Sequence, residues 1–199
     1  IWLTLTAINL YGSGKNGYIM EIIRAIKARY SVRKYSPAPV EKEKIQRCLE
    51  AAIMAPSACN AQPWRFIVVD DPDLKNEVPQ AAQHMSFGMT QFTDQAPVII
   101  AIVMEPANVT SELGSKIKRK HYPLIDIGIA AEHICLQATA EGLGTCMLGW
   151  LNEKKVRKVL RIPGPKRIPL LISLGYPATE TKKGKPRKPW DQVVRYNSY

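Results

Sequence analysis

Two arginines flank a serine in the segment Arg29-Tyr30-Ser31-Val32-Arg33, near the start of the chain. If this segment is extended, alternate side chains point to the same side, so both guanidinium groups and the hydroxyl would face one ligand. Guanidinium groups are planar, permanently charged forks of donors that suit a phosphate or the electron-rich edge of a ring. The spacing therefore predicts an anion contact, although arginines exposed at the end of a helix would give the same pattern.

A second polar segment, PSACNAQPW, runs from Pro56 to Trp64. It places the short polar side chains of Ser57, Asn60 and Gln62 between two prolines. Pre-shaped loops rich in Ser, Asn and Gln commonly form hydrogen bonds to flat heteroaromatic ligands. The alternative is a turn whose polar side chains only cap the backbone. Within the loop, we interpret Cys59 as a small filler residue rather than a redox thiol.

A third cluster is basic and lies at the C-terminal end, where Lys185-Pro186-Arg187 falls within the run Lys182–Lys188. The whole chain carries 28 Lys and Arg against 17 Asp and Glu, a net charge of +11. This excess indicates an anionic partner, which could be nucleic acid, a membrane surface or a phosphorylated cofactor, or else a solvated basic surface. Because aromatic residues do not interleave with the basic runs, we expect no nucleic-acid partner.

Other site chemistries find little support in the sequence. The four cysteines are scattered without a CxxC pair and the three histidines form no ligand spacing with them, so we expect no metal site and reduced thiols in a cytoplasmic protein. The string Gly12–Gly17 is not a P-loop, since Asn9 and Asn16 occupy the first Gly and final Ser/Thr places. No stretch reaches the ~18–20 apolar residues of a membrane span.

Hydrophobic periodicity predicts the elements that position these residues. Helical spacing extends over residues 19–29, 41–55, 71–83 and 153–160, and apolar runs predict strands at 66–69, 98–103, 145–148 and 170–174. The run over 98–103 is continuous, as in a strand covered on both faces. With 199 residues and 46% hydrophobic composition, we expect one mixed α/β or α+β domain over residues 20–199, after an N-terminal extension at 1–19 that is either native or a cloning remnant.

A helix over residues 124–141 would be apolar on almost every side. Such a helix must be buried, either in the core of its own chain or against a partner subunit. We therefore place a two-fold interface on this helix. His133, on the same helix, is interpreted as a satisfied interface side chain rather than a proton donor.

Taken in order, these segments resemble the FMN-dependent nitroreductase family. The shared pattern is Arg-x-Ser-x-Arg, then PSxxNxQPW, then a buried helix led by Asp126 that ends in Gly142-Leu-Gly144, and finally Lys-x-Arg. The resemblance runs from about Met20 to Tyr196. It implies a three-layer α-β-α fold with a central, mainly antiparallel sheet flanked by helices, in an intertwined homodimer.

The resemblance also implies a role for each site residue. Arg29 would contact the FMN phosphate and Arg33 the pyrimidine edge of the ring, with Ser31 between them. Lys185 and Arg187 would complete the phosphate clamp. The loop would reach the flavin from the other subunit through Pro56, Ser57, Asn60 and Gln62. The backbone of Leu148 and Gly149 would lie beside the reactive N5.

The implied activity is an oxidoreductase that takes a hydride from NAD(P)H and reduces small organic acceptors, such as nitroaromatics or quinones, by a ping-pong mechanism. The alternative is a flavin-binding module without turnover, serving as a reservoir or sensor. Acceptor identity would depend on residues 85–122. Trp64, Phe87 and Trp150 would either shape the acceptor pocket or belong to the core.

Overall fold

The computed structural model describes residues 22–82, 91–106, 121–179 and 186–199. The helices of these ranges are α1 Ile22–Ala28, α2 Lys42–Ile53, α3 Pro72–Ala82, α4 Tyr122–Ala140, α5 Glu153–Val159 and α6 Trp190–Val193. The strands are β1 Trp64–Val69, β2 Val98–Met104, β3 Gly144–Leu148 and β4 Arg167–Gly175. Short 3-10 turns cover Ala58–Asn60 and Gln91–Gln95. Residues 1–21, with the predicted N-terminal extension, lie outside the described ranges.

The four strands form one sheet in the order β1-β2-β4-β3, and every neighbouring pair is antiparallel. Strand β2 is buried along nearly its whole length, which confirms the prediction of a strand covered on both faces. Strand β4 lies between β2 and β3 and begins at Arg167, three residues before the predicted start. The additional residues include Pro169, which disfavours a strand in a sequence-based prediction.

Helices cover both faces of the sheet. On one face, apolar side chains of α2 and α4 pack against inward residues of the strands, in a cluster that includes Ile45, Ile127, Ile134 and Ile172. On the other face, α3 and α5 cover a second cluster that includes Val78, Val156, Ile168 and Leu171. The predicted mixed helix and sheet architecture, in three layers with an antiparallel sheet, is therefore confirmed.

Helix α4 is not buried on all sides within the single chain. One face packs into the core through Ile127, Ala130 and Ile134, whereas Leu124 and Ile125 are exposed in its first turns. Among the described residues, no helix is long and apolar enough to cross a membrane.

Candidate functional site

The segment Arg29–Arg33 lies along the free edge of the sheet, beside β3. The amide of Val32 donates a hydrogen bond to the carbonyl of Thr145 at 2.9 Å, and Ser31 pairs with Thr145 in a parallel bridge. Because the two backbones run in the same direction, Arg33 lies towards the end of β3 at which Leu148 and Gly149 are found. The fold therefore brings the predicted pyrimidine contact and the predicted N5 contacts to one corner of the molecule.

Gly144 makes this close approach possible. A Cβ atom at this position would lie 2.3 Å from Cγ2 of Val32, a distance that side chains do not tolerate, and 3.1 Å from Cγ of Pro177, which is also a tight contact. Val32 itself is buried in the second core cluster, so it cannot easily move aside. A glycine at the start of β3 is thus required for the segment of Arg29–Arg33 to dock.

Tyr35 anchors the same segment from its other end. Its hydroxyl lies 2.8 Å from Oγ of Ser173 on β4 and donates to the carbonyl of Val32 at 3.1 Å. Burial raises the pKa of Tyr35 far above its ordinary value, so the phenol stays protonated and remains a donor. No sequence pattern indicated this contact, because it joins residues 138 positions apart.

The two arginines have different environments. Nε of Arg29 lies 3.5 Å from Oε1 of Glu132 on α4, and the Arg29 side chain is only 16% exposed. Arg33 is exposed, and its guanidinium carbon lies 5.8 Å from the centre of the Phe92 ring, within the range of a cation–π contact. Arg33 is therefore open to an incoming ligand. At Arg29, by contrast, an anionic ligand would compete with the carboxylate of Glu132 for the guanidinium group.

The loop over residues 56–62, called the PSACN loop below, is held in shape by its own hydrogen bonds. Oγ of Ser57 accepts from the amide of Gln62 at 3.0 Å, and Nε2 of Gln62 donates to Oδ1 of Asn60 at 3.2 Å. Cys59, Asn60 and Gln62 have φ angles of 52°, 50° and 46°, in the left-handed region that non-glycine residues rarely adopt. A loop this strained persists only where its surroundings determine it, and such loops cluster at ligand sites.

Asp126, on α4, holds this loop from outside. The side chain is 4% exposed, and both carboxylate oxygens lie 3.2 Å from the amide of Ala58. Burial raises the pKa of Asp126, and the hydrogen bond from Ala58 only partly opposes that effect. The sequence named this residue only as the start of a helix, although an acid within an apolar run was a signal that it has a buried partner.

The loop and the Arg29–Arg33 segment lie at opposite edges of the sheet. The loop leads into β1 at one edge, and Ser31 pairs with β3 at the other. Four spacings of about 4.8 Å separate them across the sheet, or roughly 19 Å. They also differ in position along the strands. Trp64 pairs with Met104 at the end of β2, whereas Thr145 pairs with Leu174 near the end of the antiparallel strand β4, at the other end of the sheet. Across the sheet, Trp64 and Ser31 are therefore far apart, although α4 contacts both segments, the loop through Asp126 and Arg29 through Glu132.

The end of β3 presents backbone rather than charged side chains. Leu148 is buried, and Gly149 and Trp150 follow it at the surface, Trp150 being 62% exposed. Trp64 belongs to the core, so the core alternative holds for that residue. Phe87 lies outside the described ranges, as does most of the predicted acceptor region.

The C-terminal basic pair is represented by Arg187 alone, because Lys185 lies outside the described residues. Arg187 is exposed, and its Nη1 donates to the carbonyl of the adjacent Pro186 at 3.2 Å. Farther on, the tail exposes large apolar side chains of Trp190, Val193 and Tyr196. Within the described part of the chain, nothing brings Arg187 to Arg29.

Other candidate chemistries have simple structural explanations. Nδ1 of His133 lies 2.9 Å from the carbonyl of Ala51, so this histidine links α4 to α2 within the chain. Burial raises the pKa of Cys48 to about 12 and that of Cys135 to about 11, which makes both thiols unreactive. The residues described contain no group of three or more His, Cys, Asp or Glu that could hold a metal ion.

Comparison with known proteins connects this geometry to a family. Residues 26–176 match the model of the Nitroreductase family. A protein of Thermus thermophilus named NADH dehydrogenase is 30% identical over 88% of this chain and 96% of its own length. An FMN-dependent nitroreductase of Clostridium difficile R20291 superimposes with a TM-score of 0.73 at 30% identity, over 89% of this chain and 99% of that one.

A further solved structure shares the fold and carries a dinucleotide. The NADPH:FMN oxidoreductase of Vibrio harveyi, complexed with NAD+, has a TM-score of 0.73 and 25% identity, over 89% of this chain and 77% of that chain.

Proposed function

Because the chain belongs to the nitroreductase family and is an FMN-containing, NAD(P)H-dependent oxidoreductase, we propose that it reduces small organic acceptors such as nitroaromatics or quinones by a ping-pong mechanism. The observation that carries the proposal is the parallel bridge of Ser31 with Thr145. This bridge brings the exposed guanidinium of Arg33 to the same corner as the backbone of Gly149.

The residues at this corner fit a flavin mononucleotide. An exposed guanidinium suits the electron-rich pyrimidine edge, and the exposed backbone at Gly149, which follows the buried Leu148, would lie beside the flat ring. The phosphate would be bound by Arg29, with Lys185 and Arg187 from the tail. The hydroxyl of Ser31 would lie between the two ends of the cofactor.

A second copy of the chain would complete each site. The loop that precedes β1 lies at the far edge of the sheet from Arg33. We infer that it serves a flavin bound to the partner subunit, through Pro56, Ser57, Asn60 and Gln62. The exposed side chains of Asn60 and Gln62 would then supply hydrogen bonds to a ring whose other edge contacts Arg33.

The surface that would form the homodimer is apolar. Large hydrophobic side chains are exposed on α1, at the end of α2 and in the first turns of α4: Ile22, Ile23, Ile26, Ile53, Met54, Leu124 and Ile125. Gly128, one turn farther along α4, has open space where a Cβ would stand. Exposed apolar patches of this kind mark interfaces between proteins. The same contact would cover the aromatic residues of the C-terminal tail.

The chain's own residues supply binding and electrostatics, while bound FMN supplies the hydride chemistry. Arg33 would stabilise the negative charge that develops near N1 and the C2 carbonyl when the ring is reduced. Reduction of the ring needs no dedicated acid–base pair, so neither the protonated thiols of Cys48 and Cys135 nor the His133 imidazole is required for it. The donor and the acceptor would use the same exposed face in turn. The four cysteines form no disulfide, and together with an NAD(P)H donor this favours a cytoplasmic location.

The test is an absorption spectrum of the purified protein, followed by anaerobic addition of NADH or NADPH. We expect a yellow protein that is bleached within seconds and recovers its colour when a quinone or nitroaromatic is added. A yellow protein that keeps its colour under excess of both donors would indicate the alternative, a flavin-binding module without turnover. A protein that stays colourless after reconstitution with FMN would contradict both.

A further inference from the structure

Asp126 is a buried carboxylate without a cationic partner among the described residues. Its side chain is 4% exposed, and its one described hydrogen-bond donor is the amide of Ala58, 3.2 Å from each oxygen. Other acids of the fold are paired: Glu141 binds Arg47 at 2.7 and 2.8 Å, and Glu153 binds Arg167 at 2.8 and 2.9 Å. Asp126 alone among these three directs a buried charge at a single backbone amide.

This arrangement does not favour the stability of the fold. Burial raises the pKa of Asp126 above its ordinary value even with the Ala58 hydrogen bond in place. A carboxyl group whose folded pKa is raised stabilises the fold below its unfolded pKa, and this contribution is lost as the pH rises through the folded value. The burial of this carboxyl group therefore opposes the stability of the fold as the pH rises through its folded pKa, so its placement needs another explanation.

The explanation lies in the loop that Asp126 contacts. Ala58 begins the 3-10 turn of the PSACN loop, immediately after Ser57 and two residues before Asn60. Three residues of this loop have positive φ angles, so its backbone is strained, and the hydrogen bond to Asp126 adds a contact from outside the loop to the internal ones made by Gln62. A carboxylate on the long, well-packed helix α4 fixes the Ala58 amide to a rigid element.

We propose that Asp126 is a positioning residue, whose side-chain carboxyl group accepts the hydrogen bond from Ala58 and so holds the PSACN loop in the shape that presents Ser57 and Asn60 to the flavin of the partner subunit. The proposal rests on the proposed function, because it requires that this loop contacts FMN. As a positioning residue, Asp126 would set FMN affinity through the loop and not by contact with the cofactor, at a cost to the stability of the fold.

The experiment compares Asp126→Asn and Asp126→Ala with the wild-type chain in two measurements: the Kd for FMN, from quenching of flavin fluorescence, and the thermal midpoint of the FMN-free chain at pH 7. We expect Asp126→Ala to weaken FMN binding about tenfold, the effect of one lost hydrogen bond to a charged group. Asp126→Asn keeps an acceptor but no charge, so its Kd should lie between those of the alanine variant and the wild type. Its thermal midpoint should equal or exceed that of the wild type.

Glu141→Gln is the matched control, since Glu141 lies at the end of the same helix but pairs with Arg47 of α2. It should lower the thermal midpoint and leave the Kd for FMN unchanged. Hydrogen exchange at the Ala58 amide supplies an independent measurement, and this amide should lose protection in Asp126→Ala.

Two results would overturn the proposal. One is an asparagine variant that binds FMN as tightly as the wild type but melts at a lower temperature, which would assign Asp126 a purely structural role. The other is unchanged protection of the Ala58 amide in the alanine variant. If the wild-type chain itself failed to bind FMN, the proposed function would be wrong instead, so the two failures are distinguishable.

Discussion

Arg33 differs from Arg29 in having no carboxylate partner among the residues that the structure describes. Its guanidinium lies over the face of Phe92, which orients the group without neutralising its charge. Arg29 instead faces Glu132. The sequence predicted both residues as ligand contacts through the family resemblance, since their spacing alone also fits arginines exposed at the end of a helix. It could not reveal the contact of Arg29 with Glu132, because Glu132 lies more than 100 positions away along the chain.

We predict that Arg33→Gln weakens FMN binding by about 10- to 100-fold, since a hydrogen bond to a charged group contributes roughly 1.5–3 kcal/mol. The measurement is a fluorescence titration of FMN. Arg65→Gln is the control, because Arg65 is an exposed arginine at the opposite edge of the sheet, paired with Glu105. Equal affinities for the wild type and Arg33→Gln would remove Arg33 from the site.

At the scale of elements, most helices and strands were predictable and their contacts were not. The period of apolar residues predicted α2, α3, α4, β2 and β3 to within a few residues of their bounds. The bridge of Ser31 with Thr145 and the contact of Asp126 with Ala58 join segments that are distant in the sequence. The periodicity of apolar residues within one segment does not indicate which distant segment it contacts. The geometry of the site could therefore be described only from the structure.

The junction between the Arg29–Arg33 segment and β3 depends on Gly144. We predict that Gly144→Ala forces Val32 outwards, lowers the free energy of unfolding by about 1–3 kcal/mol as overpacked cores do, and weakens FMN binding because Arg33 moves with Val32. Chemical denaturation and a flavin titration measure the two effects. Gly164→Ala, at a position with open space, should change neither. A Gly144→Ala variant with unaltered stability would show that the segment docks differently.

The ion pair that attaches α5 to β4 predicts that the stability of the fold depends on pH. The pKa of Glu153 is held below its usual range, mainly by the hydrogen bonds from Arg167 and also by the one from the Ile168 amide. The Glu153 side chain is only 22% exposed. A lowered folded pKa gives stability that is present above the unfolded pKa and is lost as the pH falls through the folded value.

We therefore predict that Glu153→Gln lowers the free energy of unfolding at pH 7 by about 1–3 kcal/mol, with a difference from the wild type that shrinks as the pH falls through the folded pKa. Urea denaturation over a pH series measures it. Glu77→Gln, at an exposed position of α3, is the control. A deficit that persists unchanged at low pH would mean that the ion pair is not its cause.

At the scale of the whole molecule, the sheet order separates the two segments that we propose as the halves of the site. With β4 between β2 and β3, the loop before β1 and the segment beside β3 stand at opposite edges. The sequence could not reveal this order, because strand runs in a sequence do not state which strands are neighbours. It is the strongest reason to infer that two chains share each site.

The apolar surface of α1 and α4 gives a test of assembly. The sequence suggested helix 124–141 as the interface, and Ile129 is one of the apolar residues of this helix. Ile129 packs against the chain's own core, so its substitution would also disturb the fold. Ile125 is 55% exposed and is the better choice.

We predict that Ile125→Asp yields a folded monomer that has lost FMN, since a buried carboxylate would be unpaired at the interface. Light scattering after size-exclusion chromatography gives the mass, and flavin absorbance gives the FMN content. Leu74→Asp, on the opposite layer, should remain a dimer with bound FMN. A monomeric Ile125→Asp protein that retains FMN would refute the shared site.

The most direct measurement is complementation between two defective chains, Arg33→Glu and Ser57→Trp, each of which should bind no FMN by itself. When the two are co-expressed, about half of the dimers combine one chain of each kind, and each of these has one site free of both changes. A site shared between subunits therefore predicts recovery of about a quarter of the wild-type FMN content. If each site were built within one chain, every site would carry a defect, and co-expression would recover no FMN.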